Sequence, residues 1–505
     1  MYLYPVRKFL ILLGGLLASS AVALDWPQLQ QNAARTGRTT DSVGPPYRAR
    51  WIWLGPAQTL RNRDSVAGWP HDLTSREGYS YPMPASVSFA IAESVQPVLS
   101  SNRLFVGTMD GGAYAINDFD GGTLWSGSIA GGTTASAAVA GAIVIFCATP
   151  GTVYGLRVGD GSQAWSFSCR KALTCAPCVS GSTVYVADHG GYVYALNSSN
   201  GSQTWQTRIP APVLGTVAVE GTSVYVPAEN MYVYALNTSD GAVRGTRRVA
   251  GQSFRFHWPV VFNNIVWVTS VGTPVIGSEY IMEQLMADST SIANEEDNIA
   301  RWLTGDTNGG RWTDAGSDWK HVFALRTSDL TEPFTVLCGP ADGVGLPACP
   351  VAVDNQNRVL TYFKTRYPTF TKLGGTFGTA YSIDVCAINQ ATGRRIGIGT
   401  GQLSNPWPWE TDNLYGMSIA GNHLWMRQNF RGTKVFDVVN STHRGVQAEI
   451  RHRDGGNFMF DVVYKDQLPV IGVSQEPPLG RIAPIVVGPR VYISEAFGIT
   501  AMEHF

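Results

Sequence analysis

The sequence predicts an all-β protein: an eight-bladed β-propeller of four-stranded blades, its ring closed by N- and C-terminal strands, with one partly helical insertion. The repeat carries most of this expectation. A segment from Ala115 to Trp125 recurs from Gly155 to Trp165 and from Ala195 to Trp205. Trp125, Trp165 and Trp205 therefore lie 40 residues apart, as do Gly121, Gly161, Gly201 and Gly241. A period of this length with several short strands per unit is that of a propeller blade. Composition agrees, with 55 glycines, 11% aromatic and only 15% charged residues. Tight hairpins need that mixture, because glycine supplies the positive φ of short turns.

The elements follow in order. Arg7 and Lys8 precede an apolar run from Phe9 to Leu17, and Ala21-Val22-Ala23 offers small residues at the cleavage positions. Residues 1–23 read as a secretory signal peptide, too short to be a transmembrane segment, which predicts a secreted, periplasmic or cell-surface protein. Residues 24–505 form a single propeller. A strand at 48–53 reads as the last strand of a blade and a long loop spans 55–94, with regular blades over 95–250. Each regular unit holds a strand such as Pro97 to Asn102, a second such as Leu104 to Gly107, a third such as Ala113 to Ile116, and the Gly-Trp element. The marker residue of the third strand falls at Ala115, Gly155, Ala195, Ala235, Ala324, Ala387, Val435 and Ala501, which gives eight blades. The eighth copy reaches Phe505 without a fourth strand, and strand 48–53 is expected to complete it. Trp125, Trp165 and Trp205 are expected to dock one blade on the next. Gly245 replaces that tryptophan in the fourth blade, so its junction should be packed differently.

The pattern Tyr-Ala-Leu-Asn, two or three residues, Gly, then Trp resembles the repeat of quinoprotein alcohol dehydrogenases and their pyrroloquinoline-quinone-like relatives. The opening Asp25 to Asn32, leading to Thr36-Gly37, resembles the start of exported propellers of that group. The resemblance implies an eight-bladed propeller whose channel in some members holds pyrroloquinoline quinone, while others serve as non-catalytic scaffolds. Alcohol-oxidising members show adjacent cysteines, and this chain has no Cys-Cys pair. Haem-bearing members carry Cys-x-x-Cys-His, whereas Cys175 to Cys178 is followed by Val179. No catalytic residue is assigned.

The chain has seven cysteines. By the 40-residue register Cys175 and Cys178 align with small apolar residues of sister blades, such as Ala135 and Ala138, and so are expected in the core. Disulfides suit an exported protein. Cys338 and Cys349 flank one loop and form the first expected bridge; Cys169 with Cys178 or its neighbour is the second.

The fifth blade carries an insertion over 271–318 in which Glu279 to Leu303 reads as helical. Asp306, Asn308 and Asp314 then alternate with other residues around glycines, as oxygen ligands of calcium do; the missing terminal glutamate favours a plain solvated turn. Trp407 and Trp409, held apart by Pro408, can grip a sugar or a peptide or simply cover apolar surface. Arg255, His257, Asp412 and Arg481 are placed by their spacing near the starts of innermost strands, at a channel mouth that suits an anionic or sugar-like ligand.

A net charge of −1 excludes bulk electrostatic partners such as nucleic acid. The expectation is an exported binding or scaffolding module for a protein, peptide or glycan partner, without catalysis or an obligatory cofactor. The alternatives are a pyrroloquinoline-quinone-dependent alcohol or sugar dehydrogenase, and a structural cell-surface protein that self-associates through its inserted loops.

Overall fold

The computed structural model of the chain describes residues 25–44, 47–61, 80–82, 90–271, 285, 288, 292–312, 315–337, 349–366, 371–372, 375–376, 381–397, 416–428, 432–439, 446–452, 459–466, 482–496 and 498–504. Blade one comprises Val98–Ser100, Arg103–Gly107, Gly112–Asn117 and Thr123–Ser128, paired antiparallel in that order. Blades two, three and four repeat it over 138–168, 178–208 and 218–248. Among the described residues the fifth sheet has three strands, Val260–Phe262, Ile265–Thr269 and Val322–Arg326. The sixth has four, from Ala352–Val353 to Arg395–Gly397. The seventh contains Met417–Ala420, His423–Gln428 and Gly432–Asp437. In the eighth, Ile485–Val487, Arg490–Glu495 and Gly498–His504 are completed by Tyr47–Trp53 from the other end of the chain. The expected closure is thus observed, with the closing strand beginning at Tyr47, and Thr59–Arg61 adds a fifth strand outside it.

The repeat motif explains the local structure. In each regular blade the marker residue of the third strand faces the tryptophan of the fourth: Ala115 opposite Trp125, Gly155 opposite Trp165, Ala195 opposite Trp205. The marker must be small because the indole lies across it. A bulge follows each pair, between Ala115 and Ile116 for example, and sharpens the twist that aims the ring out of its own sheet. The turn between these strands is held by a side-chain cap: Asp160 Oδ1 accepts from Ser162 N (2.9 Å), and Asp240 Oδ1 from Ala242 N (2.9 Å).

Each tryptophan then lands on the following blade. Trp125 Nε1 donates to Val158 O (2.9 Å), Trp165 Nε1 to Ser198 O (3.1 Å) and Trp205 Nε1 to Thr238 O (2.8 Å). Their rings lie on Gly161, Gly201 and Gly241, which adopt φ of 72, 72 and 73°. A Cβ on Gly161 would sit 2.5 Å from Trp125 Cε3. Glycine is required here twice over, for the left-handed turn and for the close approach. Burying such a ring contributes roughly 2–3 kcal/mol. The core consequently lies between blades: Phe105 and Trp125 pack with Val144, Phe146 and Leu156, and Tyr185 and Trp205 with Val219, Val224 and Leu236.

The same device recurs where the repeat is not legible. Trp51 of the closing strand faces Ala501, donates to Asp118 O (3.1 Å) and covers Gly121, so it docks blade eight on blade one. At the junction of blades four and five the partners are exchanged. Gly245 stands where the tryptophan would be, and Leu330, at φ 58°, stands where the turn glycine would be. The Leu330 methyl approaches to 3.9 Å from an ideal Cβ on Gly245, so the side chain reaches across from the opposite blade. Phe334 takes the tryptophan's place against Gly393 at the next junction.

In the insertion, Ile292–Leu303 is the one α-helix of four residues or more among the described residues, and Ile299, Trp302 and Leu303 bury against Leu285, Trp312 and Leu337. Of the rest of the stretch expected to be helical, from Glu279 to Ser291, only Leu285 and Asp288 are described, and Asp288 lies in a turn.

Candidate functional site

Two faces of the ring are distinguishable. The turn face carries the hairpins after each first and third strand; the loop face carries the connections between blades. The turn-face mouth of the channel is filled by the chain's own N-terminal segment. Residues 26–41 visit the inner strands in blade order. Leu99 N donates to Trp26 O (2.9 Å), Val139 N to Pro27 O (2.7 Å) and Val179 N to Gln28 Oε1 (2.9 Å). Val219 N then donates to Ala33 O (2.8 Å), Val261 N to Ala34 O (2.9 Å), Val353 N to Thr36 O (3.2 Å) and Ile419 N to Gly37 O (2.7 Å). Gly488 N completes the circuit on Asp41 Oδ2 (2.7 Å). Inner-strand amides that would otherwise be orphaned are thereby satisfied by one strap.

Arg35 anchors the strap and is fully buried. Its Nη1 donates to Leu29 O (2.7 Å), Nη2 to Pro177 O (3.1 Å) and Nε to Val217 O (3.2 Å). Burial pushes this guanidinium down from its ordinary pKa, with the Cys178 thiol as a smaller opposing influence. Beside it, neither the Gln30 amide nitrogen Nε2 nor the Trp258 indole nitrogen meets an acceptor among the described residues.

On the same face a cavity of about 880 Å³ opens between blades four and five, at the junction that lacks a tryptophan. Arg244 and Arg38 stand among its walls with Glu220, Tyr225, Phe262 and Asn263. Arg244 Nη1 donates to Ser223 Oγ (2.7 Å), and the Arg38 guanidinium lies 5.2 Å from the Phe262 ring centroid.

The loop face differs in charge. Arg170, Lys171, Arg208, Arg247, Arg248 and Arg255 are all exposed there. Arg170 and Arg208 both lie over Tyr192, at 4.8 and 5.6 Å from its ring centroid. The nearby carboxylates are turned inward. Asp188 accepts from Lys171 N, Gly190 N, Tyr192 N and Tyr194 Oη, and Glu229 from Ser253 Oγ (2.7 Å) and Phe254 N (3.0 Å). His189, 2.9 Å from Thr174 Oγ1, is held below its ordinary pKa by burial first; Asp188 opposes this and Arg255 assists.

The structure separates the residues expected at a channel mouth. Arg255 is exposed on the loop face with its guanidinium 4.7 Å from the Phe256 centroid, whereas His257 is buried and its carbonyl accepts from Thr216 N (2.8 Å). Asp412, Arg481, Trp407 and Trp409 lie outside the described residues.

Asp306 is engaged by neighbouring donors: Asn308 N donates to its Oδ1 (2.8 Å) and Arg301 Nε to its Oδ2 (2.7 Å). The Arg301 hydrogen bond holds the Asp306 carboxyl below the usual range. Asp314 lies outside the described residues, among which no three His, Cys, Asp or Glu side chains form a metal-binding group.

The expected bridge from Cys169 to Cys178 is not formed, and both remain thiols, as does Cys175. Cys169 packs with the cluster between blades two and three, while Cys175 and Cys178 belong to the next cluster round the ring. Burial raises all three thiols above their ordinary pKa. Cys349 is buried, and its expected partner Cys338 lies outside the described residues.

Sequence reasoning missed the strap, Trp51 and Leu330. The signal for Trp51 was available, since a tryptophan precedes its turn glycine by 36 residues in the regular blades, but the pair Trp51 and Gly121 spans the ring closure.

Residues 62–177 and 151–276 match the family model described as outer membrane protein assembly factor BamB. BamB from Moraxella catarrhalis is 12% identical over 85% of this chain and 98% of its own, with a TM-score of 0.48. The computationally designed Ika8 protein is 11% identical over 83% of this chain and 98% of its own, at 0.49. Quinohemoprotein alcohol dehydrogenase from Comamonas testosteroni is 11% identical over 90% of this chain and 82% of its own, at 0.51. At such identities the last likeness is one of fold. No curated protein sequence matches the chain. Fold and repeat together define a class, the eight-bladed propellers built from tryptophan-docked blades. Within it, the repeats over residues 62–276 match those of the PQQ-like propeller family.

Proposed function

We propose that the protein is an extracytoplasmic binding or scaffolding propeller, without catalysis of its own, that presents its rim and faces to a protein, peptide or glycan partner. The observation that carries this reading is the strap: the segment around Arg35 fills the turn-face mouth of the channel, so recognition falls to the outer surface. A rigid ring bearing variable loops is suited to that task. The matched family model is named for an outer-membrane assembly factor, a protein that works on other proteins, which supports the same reading. Export rests on the signal-like residues 1–23, and no helix among the described residues is long and apolar enough to cross a membrane.

The test has two arms. Purified protein is titrated with pyrroloquinoline quinone and calcium and assayed for alcohol-dependent dye reduction. In parallel, photo-crosslinking residues are placed at Ser202 and Thr327 on the turn face and at Lys171 and Pro210 on the loop face. Adducts confined to one face, without dye reduction, are expected. Saturable quinone binding with dye reduction overturns the reading in favour of the dehydrogenase.

A further inference from the structure

We infer that the loop face of blades three to five is a docking surface for an acidic polypeptide segment, held by Arg208 and Arg248 with Arg170, Lys171, Arg247 and Arg255 around them. This names the partner chemistry of the binding reading above and rests on it.

The first ground is an imbalance of pairing. Several guanidinium groups elsewhere in the described chain are neutralised in place: Arg50 by Glu503 (2.8 Å), Arg358 by Asp354 (2.6 Å), Arg395 by Glu296 (3.2 Å), Arg490 by Asp118 (2.9 Å); Arg157, Arg244 and Arg326, which have none, bond to neutral side chains of the turn face. None of the six loop-face cations has a carboxylate within ion-pair distance among the described residues. The chain as a whole is nearly neutral, with 37 Lys and Arg against 38 Asp and Glu, so these cations are a local concentration and not an expression of bulk charge.

The second ground is geometry. Arg208 faces Tyr192 across its sheet, and Arg248 faces Tyr232 at the same register one blade further on. The two arginines therefore repeat with the blade. Arg170 joins Arg208 over the Tyr192 ring, which orders both guanidinium planes while leaving their edges outward. Ordered forks facing solvent match carboxylates, which take two parallel hydrogen bonds from each. The local carboxylates of Asp188 and Glu229 are already taken by interior donors and do not compete.

The third ground selects the occupant. An anionic lipid surface would be gripped by apolar side chains as well as charge. The large apolar side chains exposed in the described chain are Met109, Phe119, Leu124, Val243, Ile396 and Val439. None of them lies on the loop side of blades three to five. A partner that offers carboxylates at intervals along an extended backbone meets the repeated arginines without needing an apolar anchor.

The experiment uses the whole protein, a fluorescein-labelled peptide of ten residues rich in glutamate, a neutral glutamine version of it, and vesicles containing anionic phosphatidylserine. Binding is read by anisotropy at low and physiological salt. The expected result is saturable binding of the glutamate peptide alone, weakened by salt, and lowered at least tenfold by Arg208→Glu with Arg248→Glu. Both side chains are exposed, so the thermal midpoint should stay unchanged, and Arg157→Glu on the turn side serves as the control that leaves binding intact. Equal loss in the control, no peptide binding, or binding to vesicles and not to peptide each overturns the inference. Crosslinked partners that persist in the double charge reversal would overturn it while leaving the scaffold reading standing, whereas quinone-dependent dye reduction would strike that reading alone.

Discussion

Gly161→Ala isolates the tryptophan docking that holds the blades together. Gly161 has φ 72°, and an added Cβ would lie 2.5 Å from Trp125 Cε3. Gly141, in the same blade, has φ 58° but nothing within 4 Å of its ideal Cβ. Alanine carries the left-handed backbone cost of about 1–2 kcal/mol at either position. At Gly161 it must also displace an indole that is 8% exposed and bonded to Val158 O at 2.9 Å, an overpacking cost of about 1–3 kcal/mol. Urea unfolding followed by far-ultraviolet circular dichroism should therefore place Gly161→Ala about 2–5 kcal/mol below the parent and Gly141→Ala only about 1–2 below it. In a Trp125→Ala background the two glycine substitutions should cost the same, because the obstacle is gone. Equal midpoints for the two single variants in the parent background would refute the docking account.

The other predictions concern the irregular parts. Leu330→Gly relieves backbone strain but empties the seat on Gly245, a net loss of about 1–3 kcal/mol; adding Gly245→Trp should recover stability in calorimetry by restoring the tryptophan–glycine order of the other blades. Arg35→Met leaves the carbonyls of Leu29, Pro177 and Val217 without their donor, about 1–3 kcal/mol for each acceptor before the relief of a buried charge is counted. Limited proteolysis should cut residues 25–44 faster in that variant, and an unchanged rate would dissociate Arg35 from the strap. His321 is buried, and burial lowers its pKa from 6.5 to about 4. The unfolded chain thus binds the extra proton between these values, so this stability is complete above pH 6.5 and lost as pH falls toward 4. His321→Gln should flatten the stability profile in that window by up to about 3 kcal/mol.

The ring was legible in the sequence because its period is local. A tryptophan and the turn glycine it covers recur 36 residues apart, and a fixed spacing survives even where neighbouring residues change. The strap was not legible. Most of its contacts are backbone carbonyls meeting inner-strand amides up to hundreds of residues away, and a carbonyl has no residue type to recognise. Leu330 was hidden for a different reason: the contact at the fourth junction is kept while the side chain that makes it moves to the opposite blade. Arg255 and His257 look like one site when counted from Pro259, yet two residues along a connecting loop separate solvent from core. The Cys169 pairing failed because a propeller core is divided into wedges between blades, so cysteines close in sequence can belong to different wedges.

The distribution of charge over the two faces follows from the same reasoning. On the turn face, Asp120, Asp160, Asp240 and Asp329 each accept the amide two residues ahead, so the hairpins themselves demand short acidic or amide side chains there. On the loop face Asp188 and Asn230 likewise accept the amide two residues ahead, so the acidic or amide side chains there too answer a backbone demand. Arg208 and Arg248 end their strands with side chains that satisfy no backbone group, and a serine, Ser168, ends the equivalent strand of blade two. Folding accounts for the acids and not for the arginines, which is why the contact with an acidic partner is placed among the arginines.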